Sequence, residues 1–247
     1  VNWTLREIQE QAILLCPAMP AQREDWNRVM VKGRPGGLSH VLVGLRLAAE
    51  RFAVDFERVY VAGYGKAVPA AVAAGNYSPQ RFAGIIGRAG DAGGLPPDNF
   101  TNLPTYFAGA AGEARAFGAA LSEAGHDNST FKVDGTEQDI WHWMLEHARR
   151  TYPEQVVLVP GKPFPTRAYW LQVSPSDPDA RATATIERAT NTIRIDAGGV
   201  AFATLFLNDE LIDLSQPLRV ICNGTERSSV VPRHLASFLD MLYDGTS

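Results

Sequence analysis

Residues 54–71, VDFERVYVAGYGKAVPAA, decide how the rest of the chain is read. Val59-Tyr60-Val61-Ala62, entered through Arg58, is a continuous apolar run, which predicts a strand buried on both faces. Gly63-Tyr64-Gly65 predicts a turn, with Gly65 at positive φ, a conformation glycine adopts without a Cβ penalty. Lys66–Ala74 predicts a helix of small residues, with Pro69 in its first turn, where a missing N–H does no harm. Upstream, apolar residues recur at helical spacing from Leu38 to Arg51, with Ser39 near the start as a candidate cap. Further upstream, residues 4–11 read as a polar helix end. Ala12-Ile13-Leu14-Leu15-Cys16, stopped by Pro17, reads as a buried strand. Downstream come a strand at Phe82–Ile86, a strand at Leu103–Ala108, a helix over 113–125, a strand over 129–133 and a helix over 137–150. Apolar strands alternating with helices predict an α/β unit, a doubly wound and mostly parallel sheet covered on both faces.

The texture changes near Pro153. Prolines cluster from Pro153 through Pro160, Pro163, Pro165 and Pro175 to Pro178, and period-two segments with β-branched residues follow: ARATATIERA, TIRIDA, VAFATLFLN and LRVICNG. The expected layout is an α/β unit over 1–153, a proline-rich linker over 154–165 and a small antiparallel β-rich module over 166–247. Asn208-Asp209 and Asn223-Gly224 are its hairpin turn signals. A last amphipathic helix is expected over 232–243, and Trp170 is expected to be buried.

The chain has 247 residues, and 23 basic against 27 acidic side chains give a net charge of −4. A mildly acidic chain without a Lys/Arg run excludes nucleic acid and anionic membrane surfaces as expected partners. No apolar stretch approaches the ~20 residues of a membrane-spanning helix. Cys16 and Cys222 stand far apart and are expected as buried structural residues, with no disulfide framework and no thiolate metal site. The chain as given opens on Val1-Asn2-Trp3, without a signal peptide, and is expected to be processed or partial; its compartment is left open.

The segment 54–71 resembles the nucleophile elbow of α/β-hydrolases, in particular the esterase and prolyl-oligopeptidase-like members that introduce it with Asp-x-x-Arg-Val. Here the introduction is Asp55-Phe56-Glu57-Arg58-Val59, and the Gly-x-Ser-x-Gly pattern is read as Gly63-Tyr64-Gly65-Lys66-Ala67. Arg81–Ile86 resembles the family's next strand. Asn102–Ala110 resembles the strand that leads to the acid residue, and Trp141–Pro153 resembles the final helix. The resemblance covers residues 10–153, and the segments around Leu207–Asp209, Asp213-Leu214 and Asn223-Gly224 look like a tail carried by some relatives. It implies that a strand and an oxyanion-hole loop come before the first helix, and these are not in the chain as given.

The departures carry the functional expectation. Gly65 stands where the resemblance implies the serine, Gly112 where it implies the acid, and Thr136 where it implies the histidine. Acyl transfer needs a nucleophile, a base in hydrogen-bond reach and a group that orients the base. The fallback candidates are Glu113 as acid and His126 as base, without a nucleophile. Glu113 also reads simply as a helix-start carboxylate, and His126 as part of a surface turn. His142 and His147, five apart on one helix, do not share a face, so no metal is expected. Trp141, Trp143 and Met144 read as packing residues; His40 and His234 carry no signal. Gly65-Lys66 fails the phosphate-loop pattern because Tyr60 and Ala67 occupy its Gly and Ser/Thr places. The backbone at Tyr64, Gly65 and Lys66 remains a candidate anion or carboxylate site.

The expected function is a catalytically silent α/β-hydrolase-like subunit without a cofactor. Another chain or a second copy is expected to cover a sheet edge near residues 12–16. The alternatives are a serine-hydrolase-type esterase or peptidase-like enzyme with displaced residues, and a small-molecule or glycan-binding module.

Overall fold

The apolar run after Arg58 forms strand β1, Tyr60–Tyr64. The computed structural model describes residues 3–109, 112–161 and 165–233. The chain divides into two units, residues 1–150 and 151–247. In the first, β1 is followed by β2 (Gly84–Arg88), β3 (Thr105–Ala108) and β4 (Ser129–Lys132). All pair in parallel, in the spatial order β1-β2-β3-β4.

The helices are α1 (Arg6–Gln11), α2 (Gly37–Arg51), α3 (Val68–Tyr77), α4 (Glu113–Glu123) and α5 (Glu137–Glu146). Successive strand residues point to opposite faces, and the core divides accordingly. Ile85 and Phe107 pack with Val68, Val72, Phe117 and Leu121, the inner faces of α3 and α4. Ile86, Tyr106 and Ala108 pack with Ile140 and Trp143 of α5. The unit is thus mixed α/β, a parallel sheet with helices against both faces. Gly63 allows α3 to lie this close, since a Cβ there would meet the Ala67 carbonyl and Val68 Cα at 2.6 Å.

Ala12–Cys16 is not a strand. Ile13, Leu14 and Leu15 are 52%, 47% and 46% exposed, and the segment joins no sheet. An apolar run becomes a buried strand only where a neighbouring strand takes its amides, and here a cavity of ≈ 610 Å³ separates it from β1. Hence the edge strand on this side of the sheet is β1, and residues 12–16 are not part of the sheet. The helix expected over 137–150 ends at Glu146. Arg149 leaves it to reach Glu57 through backbone N–H (2.8 Å) and guanidinium (2.7 Å). Ser39 does not cap α2; Gly36 is the N-cap, and the Ser39 hydroxyl donates to the Val29 carbonyl.

The second unit holds β5 (Gln155–Leu158), β6 (Arg167–Ala168), β7 (Leu171–Pro175), β8 (Arg181–Glu187), β9 (Thr192–Gly198), β10 (Val200–Leu205), β11 (Leu218–Cys222) and β12 (Thr225–Ser229). One sheet runs β12-β11-β9-β8-β5 and another β10-β7-β6. Trp170, Leu171, Ile186, Ile193, Leu211 and Ile212 are among the residues of their common core. Trp170 is 2% exposed, and its Nε1 donates to the Pro153 carbonyl at 2.7 Å.

The module is not wholly antiparallel, because β9 and β11 pair in parallel. Residues 206–217 make an excursion that buries Leu211 and Ile212 before the chain enters β11. Asn208-Asp209 is therefore a turn inside that excursion and not a hairpin; Asn208 Oδ1 accepts the Leu211 N–H at 3.1 Å. Asn223-Gly224 is the hairpin turn of β11 and β12, with both residues at positive φ, 47° and 78°. Cys16 and Cys222 are exposed rather than buried. Cys16 ends the uncovered apolar segment, and Cys222 sits beside the hairpin turn. The expected terminal helix runs beyond the described residues from 234 on, as do His234, Pro163 and residues 110–111.

Candidate functional site

In an open parallel sheet, ligands bind outside the carboxyl ends of the strands. At that end β1 passes into Gly65, with φ 53°. A Cβ built on Gly65 would find its nearest neighbour, the Ala89 carbonyl, at 3.8 Å. The turn therefore has the left-handed backbone expected of it, and it would present a side chain to open space. The turn after β2 lies against it: Ala89 has φ 49°, and a Cβ on Gly90 would meet the Gly65 carbonyl at 2.1 Å. After β3, Gly109 (φ 62°) and Gly112 (φ 67°) lead into α4. Asp91 Oδ1 reaches the Ala114 N–H at 3.4 Å from the loop after β2.

Gly65, Gly112 and Thr136 thus follow the carboxyl ends of β1, β3 and β4. The fold brings the three positions to one end of the sheet, and two of them have no side chain. The third is committed to the helix it caps. The Thr136 hydroxyl accepts the Asp139 N–H at 3.2 Å and donates to Asp139 Oδ2 at 2.6 Å. The Thr136 hydroxyl, the Lys132 ammonium (2.9 Å) and the Thr136 N–H together hold the Asp139 carboxyl well below the usual carboxylate range.

Glu113 and His126 are not brought together. Glu113 opens α4 at the carboxyl end of the sheet. His126 follows the other end of that helix, where its N–H donates to the Leu121 carbonyl and its Nε2 lies 3.1 Å from Thr101 Oγ1. Thr101 precedes β3, so His126 is at the amino end of the sheet. The 11 residues of α4 at about 1.5 Å each separate the two by about 16 Å. As a base for a group at Gly65, His126 is misplaced, because a helix spanning the sheet puts its two ends at opposite ends of the strands. Tyr64 and Lys66 flank Gly65 and are both exposed. His142 is hydrogen-bonded with Gln138 at 3.0 Å, and the His147 ring stacks on Trp143 at 4.5 Å. Among the described residues no group of three or more His, Cys, Asp or Glu is placed to hold a metal ion.

Sequence reasoning missed the strongest polar cluster at this end. Arg88, the last residue of β2, donates from Nη2 to Glu137 Oε1 at 2.7 Å, with side-chain exposures of 18% and 12%. Glu137 Oε2 accepts from the N–H of Thr4 and of Leu5, both at 2.7 Å, and from Thr4 Oγ1 at 3.0 Å. The Arg88 guanidinium lies 4.5 Å from the centre of the Trp3 ring and 5.7 Å from that of Tyr64. Burial opposes ionisation of Glu137, but the Leu5 and Thr4 N–H groups, the Thr4 hydroxyl and Arg88 outweigh it and hold its carboxyl below its ordinary range. The only sequence signal was a charge ending an apolar strand; its partners lie 49 and 85 residues away in sequence, beyond any local pattern.

No protein-family model matches the chain, and none of the curated proteins compared with it matches either. Among the described residues no helix is long and apolar enough to cross a membrane.

Proposed function

We infer that the chain is a catalytically silent α/β-hydrolase-like protein, doubly wound in its first unit, that acts as a binding or structural subunit. The observation that carries this reading is Gly65. It occupies a left-handed turn at the carboxyl end of an edge strand, with free space where a side chain would stand. A nucleophile elbow has that geometry, but Gly65 has neither hydroxyl nor thiol to attack a carbonyl. The sheet order supports the same reading: β1, β2, β3 and β4 lie side by side in sequence order, with α5 on the face opposite α3 and α4. The glycine at the acid's implied place and the capping role of Thr136 support silence over a displaced triad.

The test is direct. The full chain is offered p-nitrophenyl acetate and butyrate and a fluorophosphonate probe. The expected result is no turnover above the buffer rate and no covalent labelling. Stoichiometric labelling at a residue of the carboxyl-end crevice would overturn the reading.

A further inference from the structure

Asn223 does more than turn a hairpin. β9 and β11 pair in parallel as far as Ile195 and Cys222, and the Asn223 N–H adds one more bond, to the Ile195 carbonyl at 2.9 Å. There β11 turns away, and the Asn223 side chain continues the ladder by itself. Its Oδ1 accepts the Ala197 N–H and its Nδ2 donates to the Ala197 carbonyl, both at 2.9 Å. The side-chain amide thus stands in for a peptide group at the end of the sheet.

The same residue is the one asparagine in the sequence that glycine follows. A glycine nitrogen reaches the carbonyl carbon of a preceding asparagine side chain readily, because no Cβ hinders it. Gly224 offers such a nitrogen. It is exposed, a Cβ built on it would find nothing within 4 Å, and among the described residues no acceptor takes its N–H. Asn128, followed by Ser129, is the contrast. It is half-buried, and its Nδ2 donates to the Phe100 and Thr101 carbonyls at 2.7 and 3.1 Å.

We propose that Asn223-Gly224 is a self-modification site, a deamidation gated by Ala197. The Gly224 nitrogen gives its proton to solvent hydroxide and attacks Asn223 Cγ. The N–Cγ bond forms as the Cγ–Nδ2 bond breaks, and Nδ2 leaves as ammonia with a proton from water. Water then opens the cyclic succinimide at either carbonyl, leaving aspartate or isoaspartate. The only reactant consumed is water.

The clamp sets the rate. Cγ must swing toward the Gly224 nitrogen, which first breaks both bonds to Ala197. Two exposed hydrogen bonds of ordinary net strength hold the folded chain about tenfold below an open peptide. The product cannot remake the rung, because a carboxylate has no N–H for the Ala197 carbonyl. Isoaspartate also adds a methylene to the backbone of a turn that fixes strand register with two residues. The modification therefore frays the end of the β9–β11 pair.

The experiment ages the purified full chain in buffer beside a synthetic peptide of residues 220–227, which is also the tryptic fragment that reports the site. Mass spectrometry reads conversion of amide to acid, and isoaspartyl methyltransferase reads isoaspartate. In the folded chain Asn223 is expected to convert faster than Asn128, about tenfold slower than in the peptide, and faster as pH rises, since the attacking nitrogen must lose its proton. Ala197→Pro removes the N–H that Asn223 accepts while leaving the ladder to β8, because both polar groups of Ala197 turn toward Asn223. It is expected to raise the folded rate toward that of the peptide. Amide exchange at Ala197 is expected to be faster in the aged chain.

An intact Asn223 in the folded chain after the peptide has fully converted overturns the inference. So does a folded rate equal to that of the peptide, an Ala197→Pro variant that folds and converts no faster than the parent, or unchanged exchange at Ala197 after conversion. The comparison of the unmodified chain with the peptide keeps the test decisive if the variant fails to fold.

Discussion

Replacing Glu137 by Ala removes one carboxylate that holds four hydrogen bonds. The Arg88 guanidinium left behind is 18% exposed in its side chain, and its Nη1 is buried with no partner among the described residues. Breaking a buried ion pair from one side costs about 3–5 kcal/mol, and the residual exposure places this pair near the lower end. The N–H groups of Thr4 and Leu5 also lose their acceptor. Thr4 is exposed and recovers water, while Leu5 is half-buried, so this part adds about 1 kcal/mol or less. The total is about 3–4 kcal/mol, a fall in melting temperature of about 6–16 °C for the unfolding of the first unit.

The assay is urea and thermal unfolding followed by tryptophan fluorescence, because Trp3 covers Arg88. Glu137→Gln keeps the shape and one acceptor and is expected to lose less. The pH dependence has a definite sign. The folded carboxyl lies below its ordinary value, so its contribution is full above the unfolded pKa of about 4.3 and is lost as pH falls through the lower folded value. The gap between the parent and Glu137→Ala is therefore expected to be full at pH 7 and to shrink below about pH 4. A loss under about 1 kcal/mol at pH 7, or a gap that does not depend on pH, would refute the claim that Glu137 anchors residues 3–5 to the end of β2.

Three further outcomes follow from particular contacts. Gly65→Ser is expected to fold, to cost about 1–2 kcal/mol for an L-residue at positive φ, and to remain unlabelled by fluorophosphonate; rapid labelling would show that a base is in place. Gly84→Ala forces a Cβ to within 2.4 Å of the Trp143 ring; the overpacking is expected to cost about 1–3 kcal/mol and to shift tryptophan emission, and an unchanged denaturation midpoint would contradict this packing. Asn223→Ala removes a side chain that donates to the Ala197 carbonyl and accepts its N–H, both at 2.9 Å, and it places alanine at φ 47°. About 1–2 kcal/mol is expected to be lost from the second unit, with no change in the denaturation of the first.

Much of the architecture was legible because it is written locally. Continuous apolar runs mark β1, β2 and β3; β2 and β3 are covered on both faces, whereas β1, expected to be buried on both, leaves Ala62 and Tyr64 exposed because it lies at the edge of the sheet. Period-two runs mark β8 and β9, where one face is core. Asn223-Gly224 encodes its own turn, since only residues tolerant of positive φ make a two-residue hairpin. Gly65 was readable as a turn for the same reason.

What stayed hidden depends on neighbours distant in sequence. Ala12–Cys16 has the composition of a strand and is an exposed segment, because strand formation needs a partner for its amides and composition does not report whether one is present. Nothing local says that β9 and β11 pair in parallel, since that depends on where residues 206–217 bury Leu211 and Ile212. The identity of Gly65, Gly112 and Thr136 was plain from the sequence. Their arrival at one end of the sheet, with His126 at the other, was decided by the helix that spans it. The Arg88–Glu137 cluster and the edge position of β1 likewise exist only after folding, for ion pairing and strand pairing are relations between surfaces that the chain brings together from far apart.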